Sequence, residues 1–225
     1  MSLIDEAVMK SLKKNLGSLN ENYDVRSKPF ELTTDLLSAK AKAVIKTIYE
    51  KSVADLNEVS TLIDGAQRDE DAGSGRTAFR DLKKEEQRLL SQSFLLANFL
   101  ENIDDQNSTL NMDALSYMRL SRDWGTFDEW QKDFLACATR SRSGFALTGY
   151  SKLLNRYINL CVDDDMGGIP PDFTVIISVC VFDTFYTRDY LLKKETYVRA
   201  MMKEINWSTV EDRVKKVESS LKRKD

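Results

Sequence analysis

FALTGYSKLLNRYINLCVDDDMGGIPPDFTVIISVCVF, residues 145–182, decides the fold class. It holds three runs rich in β-branched and aromatic residues: FALTGYS (145–151), LLNRYINLCV (153–162) and DFTVIISVCVF (172–182). Runs of this kind, bounded by Gly, Pro, Asp and Ser, read as strands. The break between the last two, DDDMGGIPP at 163–171, is turn chemistry. The three runs predict a three-stranded antiparallel sheet over about 145–182.

On either side of the sheet the period becomes helical. Thr126-Phe-Asp-Glu129 is a capping box that opens a helix running to about Thr139. Helices resume after Asp183, and Ser208-Thr-Val-Glu211 is a second capping box, predicted to open the final helix. Further upstream, Leu37, Ala41, Val44, Ile45, Ile48 and Leu56 recur at helical spacing. Thr33 is the expected N-cap of that helix, with Asp35 in its first turn. DGAQRDEDAGSGR (64–76) reads as a charged loop, and a second helix is expected from about Leu82. Its segment FLLANFL (94–100) is apolar on nearly all sides and should be buried centrally. DDQNSTLN (104–111) reads as a linker.

The expected organisation is therefore an N-terminal arm at 1–31, an antiparallel helical hairpin at 32–104, and an α/β domain at 112–225 ending in a basic helix. Helical hairpin, helix, three strands, helices: the fold class is α+β.

Composition narrows the function. Hydrophobic residues make up 42% of the 225 positions and charged residues 31%, enough apolar material for a core. The longest apolar run, FTVIISVCVF at 173–182, is too short to span a membrane, so no membrane partner is expected. The net charge is −3, which leaves no whole-protein basic field to draw in nucleic acid. MSLIDEAVMKSLKKN lacks the apolar core of a secretory signal, and Asp5 and Glu6 argue against an intact mitochondrial presequence. The chain contains no histidine. That removes Ser-His-Asp and Cys-His nucleophile systems and every histidine-ligated zinc or iron site.

Several strings then resemble the iron/manganese superoxide dismutases. VFDTFYTRDYLLKKETYVRAMMKEINW (181–207) is similar to a C-terminal segment of that family, with Asp189, Tyr190, Tyr197, Val198, Ala200, Asn206 and Trp207 in register. WGTFDEWQKDFLACATRSRSGFAL (124–147) resembles another, with Gly125, Phe127, Asp128, Phe134, Ser143 and Gly144 aligned. LTTDLLSAK (32–40) is a weaker likeness to the start of the family's first helix. The likeness runs from about Leu32 to Lys216.

The resemblance implies a site for one iron or manganese ion held by three histidines and an aspartate. The first histidine falls at Lys40, or at Val44 one turn later; the second at Leu96, the aspartate at Cys180 and the last histidine at Thr184. None of the four is retained. A hard ion is not held by one thiol and one hydroxyl, so no cofactor is expected. The aromatic positions that wall the metal fall at Phe94, Phe145 and Phe182, the gateway tyrosine near Ile48, and the glutamine of some iron enzymes at Gln92.

In the family a glutamate crosses the dimer interface to the partner's metal-binding histidine. Asp183 stands at that position here, followed by Thr184, which marks both as dimer-interface residues. Non-enzymatic relatives of this fold occur, paired as two related chains, in the small subunit of mitochondrial ribosomes. The resemblance implies such a structural subunit in the mitochondrial matrix, among other ribosomal proteins and beside a superoxide-dismutase-like paralogue. A free-standing dimeric module of the same fold, binding or regulatory, is the alternative; an active dismutase is the third reading.

Other features are weighed against plainer readings. The basic tail, Lys215, Lys216, Lys222, Arg223 and Lys224, reads first as a cationic helix end complementing the helix dipole and second as a local contact with ribosomal RNA. Lys10, Lys13 and Lys14 form a similar small cluster. Cys137, Cys161 and Cys180 read as reduced thiols, the last two as small buried hydrophobes on strands rather than a redox or soft-metal site. Asp163, Asp164 and Asp165 read as a solvated hairpin tip rather than a calcium loop.

Overall fold

The computed structural model describes residues 25–66, 68, 77–105, 108–163 and 168–222, the side chain of Lys222 excepted. Most of the expected arm, the Lys10, Lys13 and Lys14 cluster, Asp164, Asp165, Arg223 and Lys224 lie outside the described residues.

Helix α1 (Ala39–Gly65) and helix α2 (Ala78–Ile103) pack along each other as the hairpin. Helix α3 (Leu115–Trp124), which the sequence reading did not single out, and helix α4 (Phe127–Arg140) lead into strands β1 (Gly144–Ser151), β2 (Arg156–Asp163) and β3 (Phe173–Cys180). Helices α5 (Asp183–Tyr190), α6 (Lys194–Lys203) and α7 (Trp207–Lys222) follow. The sheet is antiparallel in the order β2-β1-β3, as expected. β1, buried along its whole length, is the central strand. The register between β1 and β3 shifts at Thr148/Gly149, where a Cβ on Gly149 would stand 2.4 Å from the Thr174 carbonyl oxygen. One apolar core runs from Ile45 and Leu96 of the hairpin through Trp130 and Phe134 to Ile177, Tyr197 and Val214.

Several expected boundaries move, each for a local reason. Thr33 does not cap α1. Thr34 Oγ1 accepts the Leu36 N–H in a tight local turn, and Ser38 caps instead, its Oγ accepting the Ala41 N–H at 3.2 Å. The Ser38 N–H is itself held by Asp189 Oδ2 at 2.7 Å, so the start of α1 is fixed by α5. Helix α2 begins four residues earlier than Leu82, at Ala78, because Thr77 supplies the cap. Residues 153–155, read as strand, belong to the turn before β2, and Leu153 and Leu154 are exposed there.

The first capping box does open α4, with Thr126 Oγ1 accepting the Glu129 N–H. The second is not used. Asn206 Oδ1 accepts the N–H groups of Ser208 and Thr209 at the start of α7. Glu211 points to another helix and accepts the N–H of Ser116 at 2.8 Å and of Leu115 at 3.3 Å, capping α3, whose own Ala114 has no side chain to do so. Burial opposes ionisation of Glu211, but these N–H groups together hold its carboxyl below the usual glutamate range.

FLLANFL is not buried on every side. Leu95, Leu96, Asn98, Phe99 and Leu100 are buried, whereas Phe94 is 49% exposed. A helix lying on one sheet has one face turned away from it, however apolar its sequence.

Candidate functional site

The positions that the resemblance assigns to metal ligands divide into two kinds. Leu96, on α2, and Cys180, at the end of β3, are fully buried in the core shared by hairpin and sheet. Lys40, in the first turn of α1, and Thr184, in the first turn of α5, are exposed, and Val44 is half-buried. The residues present do not fit an iron or manganese ion. Leu96 and Val44 have no lone pair, Lys40 is a cation in solvent, and the Cys180 thiol sits where the carboxylate would be.

Aromatic packing occupies the interior around the two buried positions. Phe145 and Phe182 meet edge-on at 5.3 Å, Phe182 and Phe185 at 5.7 Å, and Phe185 and Phe99 lie 6.0 Å apart. Phe145 pairs with Cys180 across the sheet, which sets this chain of rings beside the thiol. Tyr197, wholly buried, donates its hydroxyl to the Cys180 carbonyl at 3.0 Å, and burial pushes its phenol well above the ordinary tyrosine value. Phe94, expected among these rings, faces solvent instead. Ile48 is half-buried, and the adjacent Tyr49 is the buried aromatic of that turn, meeting Phe30 edge-on. Gln92 accepts a hydrogen bond from Arg88 at 2.8 Å, and Arg88 also forks onto Glu85.

Asp183 and Thr184 are both exposed on α5. Asp183 is nonetheless engaged within its own chain: Tyr186 O–H donates to Asp183 Oδ1, and Thr187 Oγ1–H donates to the Asp183 carbonyl at 2.5 Å. Sequence reading missed this pairing, although residues three apart on a helix share a face and the spacing was visible. At the other end of α5, Leu191 and Leu192 are 76% and 71% exposed, with φ of 47° and 65°. Left-handed backbone is uncommon for any side chain other than glycine, and more so for two residues in succession.

Lys215 and Lys216 are exposed on α7, and Lys215 lies 3.6 Å from Glu211. Lys222 ends the helix; Arg223 and Lys224 are beyond the described residues. Among the described residues no helix is long and apolar enough to cross a membrane. Cys180 is buried as expected, but Cys161 is exposed, and its neighbour is Cys137.

A polar centre that the sequence reading did not single out lies between α2, β3 and α7. Arg213 Nη1 donates to the Ile176 carbonyl at 2.9 Å and to Asn102 Oδ1 at 3.2 Å, and Nη2 donates to Glu101 at 2.6 Å. Asn102 Oδ1 also accepts the Ser178 N–H, and Ser178 Oγ–H donates to the Leu95 carbonyl. Asn206 Nδ2 donates to the carbonyls of Asp104 and Asp105, tying the end of α2 to the start of α7.

Comparison with known proteins agrees with this architecture. Residues 114–213 match the family described as iron/manganese superoxide dismutases, C-terminal domain. The matched stretch runs from the start of α3 into α7 and includes the whole sheet. The iron superoxide dismutase of Cupriavidus metallidurans is 28% identical over 132 residues, 56% of this chain and 63% of the relative. The manganese enzyme of Mycolicibacterium fortuitum is 29% identical over 91 residues, 40% of this chain and 44% of the relative. The iron enzyme of Methanothermobacter thermautotrophicus is 27% identical over 95 residues, 42% and 46% of the two chains. The chain thus spans about half the length of the curated relatives it matches.

Proposed function

We propose that this chain is a non-catalytic structural subunit on a superoxide-dismutase framework, a component of the mitochondrial ribosomal small subunit that pairs there with a related chain of the same fold. One observation carries the loss of catalysis. The second histidine position is Leu96, fully buried in aliphatic and aromatic packing, in a chain with no histidine at all. A buried leucine adds roughly 1.5–3 kcal/mol of stability, whereas ligand groups left there without an ion would cost it. The matched relatives are dismutases, and this chain shares their C-terminal domain; by the resemblance it lacks their donor set.

The surface of α5 supports association. Asp183 and Thr184 stand exposed at one end and the strained Leu191–Leu192 pair at the other, where a partner's contacts would offset the cost. Because Tyr186 already satisfies Asp183, a homodimer does not leave that carboxylate bare; the choice of a related chain rests on the fold's retained shape and on the implied ribosomal pairing. Placement in the mitochondrial matrix, and contact of Lys215, Lys216 and the residues after them with ribosomal RNA, belong to the same proposal. The alternative is a free-standing binding or regulatory module. It is favoured by an open groove of about 530 Å³ between α4 and α6, where Asp128, Lys132, Arg199 and Lys203 surround Leu135 and Met202.

Four measurements test these readings. Elemental analysis and superoxide turnover of the native protein should give no stoichiometric iron or manganese and no activity; one ion per chain with turnover defeats the first claim. The endogenous chain should co-sediment with mitochondrial small subunits, and crosslinks near Asp183 should join it to a different chain. Sedimentation apart from the particle favours the free module, and crosslinks between two copies replace the paralogue by a homodimer.

A further inference from the structure

Helix α4 runs alongside β2, an edge strand of the sheet, and side chains meet in successive rungs. Asn159 Nδ2 donates to Asp133 Oδ2 at 2.9 Å. Ser141 Oγ–H, just past the helix, donates to Asp163 Oδ1 at 2.9 Å, and the Arg142 N–H donates to the same oxygen. Between them stand Cys137 and Cys161, the Cys161 thiol donating to the Cys137 carbonyl at 3.1 Å. The rungs advance four residues on the helix and two on the strand. Four helical residues rise about 6 Å and two strand residues about 6.7 Å, so the ladder stays in step. The hydrogen-bonded rungs on both sides hold the middle one at close quarters.

We propose that Cys137 and Cys161 are a dithiol modification site, which hydrogen peroxide converts into an intramolecular disulfide stapling α4 to β2. Cys161 is exposed and Cys137 half-buried, which gives the first step to Cys161. Its thiolate attacks one peroxide oxygen and the O–O bond breaks, leaving Cys161 sulfenic acid and, after proton uptake, one water. The Cys137 sulfur, losing its proton, then attacks the sulfenic sulfur. Hydroxide leaves, takes up that proton and becomes the second water. The two thiols lose two electrons and the peroxide gains them.

Burial, the neighbouring Cys161 and the Asp133 carboxylate push the Cys137 thiol up to about 12. Its attack is therefore slow. The same environment makes the product durable, since a disulfide is easily reduced when its thiolates are stabilised, and burial disfavours that of Cys137. Cys180 is buried in the core and takes no part.

The test uses the full chain, treated with hydrogen peroxide, quenched, alkylated and digested without reductant. Mass spectrometry should find the Cys137 and Cys161 peptides joined with the loss of two hydrogens, and Cys180 alkylated. The thermal midpoint should rise by about 5 °C or more and fall back with dithiothreitol. Cys137→Ser should let Cys161 sulfenic acid accumulate, trapped by dimedone, and Cys161→Ser should leave Cys137 a free thiol. The proposal is overturned if Cys161 goes on to sulfinic acid in the unsubstituted chain while Cys137 stays alkylatable. It is equally overturned if the link joins two molecules or involves Cys180.

Discussion

Two buried centres lie where the hairpin meets the sheet, and they are built in opposite ways. Around Leu96 and Cys180 the interior is filled by Phe99, Phe145, Phe182 and Phe185. A short distance along α2, Arg213, Glu101, Asn102 and Ser178 make a hydrogen-bonded polar junction. The first stands where the resemblance places a metal, and its phenylalanine side chains satisfy one another by apolar packing rather than by hydrogen bonds. The second draws its partners from the chain itself, including backbone carbonyls that must be satisfied in any case. Polar groups persist in this interior where the fold supplies their partners; Asn102 Nδ2, buried without one, is the local exception.

The comparison breaks most sharply at Leu96. Leu96→Asp puts an unpaired carboxylate into the apolar centre and should cost about 4 kcal/mol or more, a large part of a typical domain's stability. Leu96→Met, nearly equal in volume, should cost less than about 1.5 kcal/mol. Urea denaturation measures both. If Leu96→Asp unfolds at the unsubstituted chain's midpoint, the centre is wet or open, and the apolar description is wrong.

Arg213 sharpens the other side. Its side chain is 12% exposed, and burial draws its pKa down while Glu101 draws it up, with burial prevailing. Arg213→Met keeps the bulk but strands Glu101, Asn102 Oδ1 and the Ile176 carbonyl. The expected loss is about 3 kcal/mol, less than for a sealed ion pair because Glu101 is partly solvated and also bonds Lys28 at 2.6 Å. Thermal denaturation of Arg213→Met against Arg213→Met/Glu101→Gln should show partial recovery in the double variant. A single-variant loss within about 0.5 kcal/mol would reduce the junction to surface status.

The sequence revealed these regions unequally, for physical reasons. The sheet was legible because three β-rich runs are bounded by strong turn residues, and strand period is local. The lack of a lone pair at Leu96 was legible because residue type alone decides whether a side chain can bind a metal. The capping of α3 by Glu211 was not, since Glu211 lies 96 residues from Leu115 and its spacing from Ser208 fits a local capping box equally well. Nor was the Cys137–Cys161 rung, which exists only once α4 has been laid along β2. Phe94 was misjudged because an apolar stretch shows what a helix can bury, not how many of its faces find a neighbour.

The smallest effect tests the start of α5. Burial first, then the hydrogen bond to Asp183 and its charge, push the Tyr186 phenol up to about 12 from an ordinary value of 10.0. A folded-state value above the unfolded one means the stabilisation is complete below the ordinary tyrosine range and is lost as pH rises through about 12. Asp183→Asn keeps a carbonyl acceptor but removes the negative charge. It should change stability at neutral pH by no more than about 0.5 kcal/mol, as exposed substitutions usually do. Its signature is in alkaline titration: the phenolate absorbance of Tyr186, identified by its absence in Tyr186→Phe, should appear at lower pH while staying above the ordinary value, because burial remains. An unchanged titration means that Asp183 does not hold Tyr186 in solution. The carboxylate is then unengaged within its own chain, and α5 presents an unpaired charge at its surface.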